Sequence, residues 1–297
     1  MDDVEAALKK RASIPMHVVG GIAVVLNLLV VVVFARTKQL RIKYYGFVFN
    51  LVLADIAFPA ILITMVHFKH VATVVALARS FFLTGQLSIL AVAVNRLLAL
   101  SLMPPARYDA VVTPVRMVVA CLLIWILSAV LFLPTTYLQD PTINWLIQAL
   151  LPIFILIITA VLYLVVFRKI SNYTPPLASA AGTSNIDGQT GTRLRQTRHL
   201  MVTFTIIFVA SAVCWLPFCV GFFIMFAHGE PTLSVVVFLL YSYAALLMNS
   251  VLNPFIYFWR FREGREGFYR LLCACSSRWK HQAETDASTV AETEMLH

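Results

Sequence analysis

The sequence has little charge for its length. Only 12% of its 297 residues are charged, while 60% are hydrophobic. A soluble domain carries about twice that share of charged residues, so the composition excludes an ordinary soluble fold and indicates a membrane protein. A helix crosses a bilayer core with about 20 apolar residues. The seven predicted spans are residues 15–36, 44–66, 73–101, 114–137, 145–168, 199–226 and 233–258.

Several features of disulfide-bonded, catalytic or duplicated proteins are missing. None of the five cysteines falls in a predicted extracellular loop, so no structural disulfide is expected. The seven histidines include no HExxH-like pair, and no nucleophile sits beside a base, so the sequence does not indicate an enzyme. No internal repeat is visible, which weakens an assignment as a transporter built from duplicated halves.

The net charge of +9 is distributed unevenly along the chain. With the N-terminus outside, most of the 23 basic residues lie in or beside loops predicted to be cytosolic, as the positive-inside rule requires. Lys9, Lys10 and Arg11, just before the first span, are exceptions. We therefore expect a multi-pass plasma-membrane protein with an extracellular N-terminus at residues 1–14 and a bundle at 15–258. The basic charge indicates membrane lipids as partners and no nucleic acid.

The segments on the predicted cytosolic side differ in character. Residues 171–192 are rich in Gly, Pro, Ser and Thr and predict a flexible linker. Residues 259–275 alternate basic and apolar side chains, which predicts a short amphipathic helix on the inner leaflet. Residues 276–297 are polar and predicted to be disordered. Cys273 and Cys275 lie beside basic residues and are candidate palmitoylation sites, with unmodified thiols as the alternative.

Polar side chains inside the spans need an interior partner or a function. Asp55 lies centrally in the second span, where a carboxylate costs about 2.5–3.5 kcal/mol to insert. Asn249 and Asn253 share a face of the seventh span, and Pro254 frees a backbone carbonyl beside them. We expect one hydrated polar cluster; the alternative is that each amide only joins two helices. The candidate members are Asn27, Asp55, Asn249, Ser250 and Asn253.

Motifs on separate spans resemble those of rhodopsin-like (class A) G protein-coupled receptors, over about residues 15–275. They are Asn27, "NLVLAD" ending in Asp55, "NRLLAL" with Arg96, Trp125, Pro152, "CWLPF" with Trp215 and Pro217, and "NPFIY" ending in Tyr257. Each motif alone is weak, but seven in order are specific. The resemblance implies an all-α membrane fold: a seven-transmembrane helix bundle followed by a short amphipathic helix.

The sequence also departs from this family pattern. Asn95 replaces the acidic residue before Arg96, so we predict weak locking of the inactive state and basal signalling. The polar cluster is a candidate sodium site, although Gly85 replaces the hydroxyl expected there. Ser211 stands where an aromatic residue is usual. Leu247 replaces the lysine that holds retinal in opsins, so no cofactor is expected.

The resemblance implies a switch driven by ligand binding. A ligand between the outer halves of the third, fifth, sixth and seventh spans would shift a pre-existing equilibrium. The sixth span would swing outward about Pro217 and open a cytosolic cavity for a heterotrimeric G protein. The residues implied in coupling or switching are Asn95, Arg96, Trp215, Pro217, Asn253, Pro254 and Tyr257.

The ligand class is open at this stage and includes small molecules, lipids and peptides. The candidate ligand-pocket residues are Ala78, Arg79, Trp215 and Phe218. Ala78 stands where amine receptors carry an aspartate, and Arg79 could pair with an anionic headgroup or a carboxylate. The alternative for Arg79 is a salt bridge with Asp140 or Glu230, or a side chain that reaches water. The short loop after the fourth span resembles those of melanocortin, lysophospholipid, cannabinoid and adenosine receptors.

A second class of function is compatible with the same residues. A seven-helix transporter or ion channel could use Asp55 and the asparagines of the seventh span as an ion path. Such a protein would move solute across the membrane without a G protein.

Overall fold

The described part of the chain is helical. The computed structural model describes residues 2–37, 45–68, 71–102, 105–134, 141–171, 184–230, 232–260 and 265–269. Within these ranges seven helices are long and apolar enough to cross a membrane, which confirms the predicted all-α seven-helix bundle. They are α1 (Asp2–Arg36), α2 (Gly46–His67), α3 (Ala72–Ser101), α5 (Pro114–Phe132), α6 (Pro141–Ser171), α7 (Ser184–His228) and α8 (Leu233–Arg260); the short α4 (Pro105–Val111) joins α3 to α5.

The third helix occupies the middle of the bundle. α3 contacts α2, α5, α6 and α7, whereas α1 packs against α2 and α8 at one side. In the predicted orientation α1, α3, α6 and α8 run from the outer to the inner side, and α2, α5 and α7 run back. α5 is the most peripheral helix, since its described buried residues are only Met117, Ser128 and Phe132. Its remaining apolar residues face outward, where lipid would cover them.

Small residues allow the helices to approach closely. A Cβ atom added to Gly221 of α7 would lie 2.5 Å from Leu239 Cδ2 of α8. A Cβ atom on Gly46 of α2 would lie 2.6 Å from Met117 of α5. Because lipid offers no hydrophobic drive between helices, close packing of this kind is a main source of association in a bilayer.

Several helix boundaries differ from those predicted. α1 begins at Asp2, so the helix already covers most of residues 1–14, and Ala12 is fully buried. α7 begins at Ser184, so residues 184–192 of the predicted flexible linker are helical. α5 ends at Phe132, and the C-cap Leu133 still has helical dihedrals; Pro134 has no N–H and so cannot donate the next backbone hydrogen bond. The hydropathy pattern predicts only the apolar part of a helix and not the polar turns that continue it.

The chain continues past α8 along the inner side of α1. Residues 265–269 are helical, and the rings of Phe258 and Phe268 lie 4.8 Å apart. A Cβ atom on Gly267 would collide with the Thr37 side chain. The other parts of the predicted amphipathic helix after Arg260, including Cys273 and Cys275, and the tail 276–297 lie outside the described residues, so those assignments stay predictions.

Candidate functional site

A buried carboxylate joins α2 to α8. Asp55 is 4% exposed, and each of its oxygens accepts a hydrogen bond from α8. Ser250 Oγ donates to Oδ1 at 2.7 Å, and Asn253 Nδ2 donates to Oδ2 at 2.7 Å. Residues three apart on a helix share a face, so Ser250 and Asn253 reach the same partner. The carboxylate is therefore bound by two donors within the chain.

The backbone carbonyl that the proline of the seventh span leaves without a donor has a partner in α1. Pro254 has no N–H, so α8 cannot form the backbone bond that would end at the Ser250 carbonyl. Asn27 Nδ2 donates to that carbonyl at 2.8 Å and also to the Ala23 carbonyl at 2.9 Å. The amide of α1 thus satisfies the acceptor that the proline leaves open. The polar side chains and the proline of α8 form one arrangement with α1 and α2.

Asn249 points toward α7 instead of α1. Ser211 Oγ donates to Asn249 Oδ1 at 2.8 Å, which links α7 to α8. A cavity of about 20 Å³ lies between Asn249, Asp55 and Trp215, with room for about one water molecule. Gly85 also lines it and offers no side-chain oxygen. The site geometry gives Asp55 few further oxygen ligands for sodium, so sodium binding stays a prediction.

Aromatic rings separate this small cavity from a larger one nearer the outer side. Phe82 of α3 packs edge-on against Trp215 at 5.6 Å and against Phe218 at 5.3 Å. The larger cavity, called the outer cavity below, has a volume of about 200 Å³. Ala78, Arg79 and Phe218 line it. Trp215 lines the small cavity beneath instead, so three of the four ligand-pocket candidates lie together.

Several further lining residues of the outer cavity were not ligand-pocket candidates from the sequence, and four of them are polar or contact the candidates. They are Phe82 and Gln86 of α3, Gln148 of α6 and Tyr243 of α8. Gln86 follows Arg79 by seven residues, which is two helical turns, and this spacing was the signal that could have found it. The contributions of α6 and α8 depend on packing and leave no local signal.

The described surroundings of Arg79 bear on its predicted roles. Among the described residues no carboxylate forms a salt bridge with Arg79. Glu230 lies exposed after α7 and does not pair with it, while Asp140 lies outside the described residues. Tyr243 of α8 lines the same cavity as Arg79. Arg79 therefore faces a cavity.

Near the inner side, α3 presents Arg96 and Asn95 to different neighbours. Arg96 is 1% exposed, and its Cζ lies 5.2 Å from the ring centroid of Phe204 in α7. Asn95 Oδ1 accepts a hydrogen bond from the hydroxyl of Tyr108 in α4 at 2.9 Å. Tyr257 of α8 is also buried, at 2% exposure. Sequence reasoning missed Tyr108, whose only signal was its place in the short segment "PARYDAV".

A second polar joint connects α2, α3 and α5. Asn50 Nδ2 donates to Ser88 Oγ at 2.8 Å, and Trp125 Nε1 donates to Asn50 Oδ1 at 2.9 Å. Trp125 carries a family motif, but its partner is not evident from the sequence. This joint holds the peripheral α5 against the centre of the bundle.

Comparisons with known proteins agree with this geometry. The profile of the family described as "7 transmembrane receptor (rhodopsin family)" matches residues 26–257. The adenosine receptor A3 of Ovis aries is 25% identical over 290 residues, covering 86% of this chain and 88% of the relative. The melanocortin receptor 5 of Rattus norvegicus is 24% identical over 276 residues, covering 86% and 82%. The human histamine H2 receptor is 24% identical over 221 residues, covering 65% and 58%.

The matched region contains most of the bundle, the polar cluster and Arg96. The relatives are receptors and not enzymes, and they give no support to a transporter or ion channel. The seven apolar helices and this match indicate a multi-pass membrane protein. The chain belongs to the rhodopsin family of seven-transmembrane receptors, the class A G protein-coupled receptors.

Proposed function

We propose that the protein is a plasma-membrane receptor, with its N-terminus outside, that binds a ligand in the outer cavity and activates a heterotrimeric G protein. One observation carries the proposal: Phe82 lines the outer cavity and packs on Trp215 of α7. A ligand there touches the side chains that contact the middle of α7. The buried Arg96 lies on α3, near the inner end of the same bundle.

The outward movement of α7 is the proposed response. Pro217 removes the backbone bond that would reach the Val213 carbonyl, so α7 bends there more easily than elsewhere. A ligand that fits the outer cavity better in one conformation than another shifts the equilibrium by that difference in affinity. Trp215, two residues before Pro217, is the proposed toggle between ligand and helix.

At the inner side this movement changes the surroundings of Arg96. Phe204 belongs to α7, so an outward swing carries its ring away from the Arg96 guanidinium. The guanidinium then becomes available to a G protein, and Tyr257 is proposed to turn inward and support the open form. Asn95 is neutral and already accepts from Tyr108, so it supplies no ion pair that would lock Arg96. This supports the proposal of basal signalling.

Asp55 and its partners are proposed to couple the movement of α7 to α8. The cluster ties α8 to α1 and α2, and Ser211 ties α8 to α7. Movement of α7 therefore acts on the helix that carries Asn253, Pro254 and Tyr257. Buried hydrogen-bond networks of this kind have discrete arrangements, because half-formed bonds in a low-dielectric interior are costly.

The test is nucleotide exchange by the purified full-length receptor in nanodiscs, with each class of heterotrimeric G protein in turn. Exchange is measured first without ligand and then with nucleosides, peptides, amines and lysophospholipids. We expect ligand-free exchange above that of Arg96→Ala at equal receptor amounts. Exchange no faster than with Arg96→Ala, for every G protein and every compound, would contradict the proposal.

A further inference from the structure

The outer cavity contains a positive charge that no carboxylate among its described lining residues compensates. Arg79 is the one charged residue among its described lining residues, and no described carboxylate pairs with it. A guanidinium within a membrane span is costly unless an anion or water accompanies it. Amine ligands would add a second cation beside Arg79. The cavity therefore favours a negatively charged ligand group over a positively charged one.

A second polar group lies deeper in the same cavity. Gln86 is 1% exposed, and its Nε2 has no hydrogen-bond partner among the described residues. It lies seven residues after Arg79 on α3, which places it about 10 Å farther along the helix axis. A buried donor without a partner is unfavourable, so a hydrogen-bond acceptor on a ligand would be stabilised there.

The wall between these two groups is apolar. Phe82 lies between Arg79 and Gln86 on the same face of α3, and Phe218 of α7 packs against it. The cavity volume of about 200 Å³ is below the range of about 300–1,000 Å³ typical of ligand pockets. A folded peptide or a lipid with two acyl chains exceeds this space. The fitting ligand has a small apolar body.

We propose that the ligand is a small amphiphilic anion. Its carboxylate or phosphate accepts hydrogen bonds from Arg79, its apolar body packs on Phe82 and Phe218, and an acceptor about 10 Å away binds Gln86 Nε2. The ligand's effect on signalling rests on the function proposed above, but its binding does not.

Matched probes test this with the full-length protein in nanodiscs. The first probe is 4-(4-acetylphenyl)butanoate, whose carboxylate and ketone are separated by an aromatic ring. Its partners replace the carboxylate with a phosphate monoester, an alcohol or an amine. Binding is measured as the rise in thermal unfolding temperature with probe concentration. We expect the acid or the phosphate to bind, the alcohol to bind weakly and the amine not to bind. The ratio of acid to phosphate affinity distinguishes a carboxylic acid from a phosphate-bearing ligand.

Variants assign the two ends of the probe. Arg79→Gln is expected to weaken acid binding about tenfold to a hundredfold, as for the loss of one hydrogen bond to a charged group. Arg11→Gln, an exposed arginine on α1, is the matched control and should leave affinity unchanged. Gln86→Leu should abolish the advantage of the acetyl probe over plain 4-phenylbutanoate. Arg79→Lys keeps the charge and should retain the preference for the acid over the amine.

Three results would overturn the inference: no binding by either anionic probe, equal binding by the amine, or undiminished acid binding by Arg79→Gln. Because the thermal readout needs no G protein, anion binding without nucleotide exchange would count only against the proposed function. Exchange driven by another ligand, with no anion binding, would count only against the anionic ligand class.

Discussion

The polar cluster around Asp55 and the outer cavity both bury polar groups in the bundle, but they differ in how many of those groups have hydrogen-bond partners within the chain. In the cluster both carboxylate oxygens accept hydrogen bonds from α8, and the adjoining cavity measures about 20 Å³. In the outer cavity Gln86 Nε2 has no described partner, and the space is about 200 Å³. Asn27 Oδ1 and Asn253 Oδ1 of the cluster also have no described partner, so the contrast concerns the donors. Donors paired within the chain stabilise the fold, whereas the unpaired donor of the outer cavity is available to a ligand.

The largest expected effect comes from removing the Asp55 carboxylate, whose two oxygens accept hydrogen bonds. Asp55→Ala leaves the Ser250 hydroxyl and the Asn253 amide without their acceptor, and each buried unsatisfied group costs about 1–3 kcal/mol. We expect a loss of about 2–6 kcal/mol, measured as a fall in the thermal unfolding temperature in nanodiscs. Asp55→Asn retains one acceptor and should lose less. An unchanged unfolding temperature in Asp55→Ala would show that the cluster is not structural.

The joint around Asn50 gives a smaller effect of the same kind. Trp125→Phe keeps most of the ring but removes the donor to Asn50 Oδ1, so it should cost about 1 kcal/mol. Trp259→Phe is the matched control, because Trp259 is 64% exposed on α8. Equal unfolding temperatures for the two variants would argue that the Trp125 bond contributes nothing.

A charge introduced at Asn95 is expected to change signalling, because a new carboxylate there would pair with Arg96. Asn95→Asp introduces a carboxylate beside Arg96 and should stabilise the conformation in which Arg96 stays buried. A gain of about 1 kcal/mol, the typical net contribution of one hydrogen bond, lowers ligand-free nucleotide exchange about fivefold. Tyr108→Phe, which removes the present partner of Asn95, serves as a comparison for loss of the bond to α4. Higher exchange in Asn95→Asp than in the unchanged receptor would contradict the proposed locking.

The smallest stability effect is expected in the outer cavity itself. Gln86→Met replaces an amide without a described partner by an apolar chain of similar length, so the unfolding temperature should stay the same or rise slightly. Gln148→Met is the control within the same cavity, since Gln148 Nε2 donates to the Asn144 carbonyl at 3.3 Å. If Gln86→Met destabilises the protein more than Gln148→Met, then Gln86 is paired and the contrast between the two sites is lost.

The spans could be predicted from the sequence because apolar length is a local property. The meeting of Asp55 with Ser250 and Asn253 was also within reach, because spacing of three or four residues fixes a helix face. The bond from Tyr108 to Asn95 was not, since it depends on how α4 folds back against α3.

The division between the two cavities could not be predicted either. It depends on the ring of Phe82, whose contacts with Trp215 and Phe218 come from the relative placement of α3 and α7. A sequence window around Phe82 shows only one more apolar residue in an apolar helix. Packing between helices distant in sequence therefore decided which candidate residues line the outer cavity.

The length of α7 has a mechanical consequence. The part of this helix from Ser184 to Pro217 is roughly 50 Å long, at about 1.5 Å per residue, and exceeds the thickness of the hydrocarbon core. A small bend at Pro217 therefore moves the far end of this part by a large distance. A tilt of about 10° at Pro217 would displace its far end by roughly 9 Å, nearly the width of a helix. In the proposed switch, a sub-ångström shift of the Trp215 ring would therefore produce an opening at the inner side that another protein could enter.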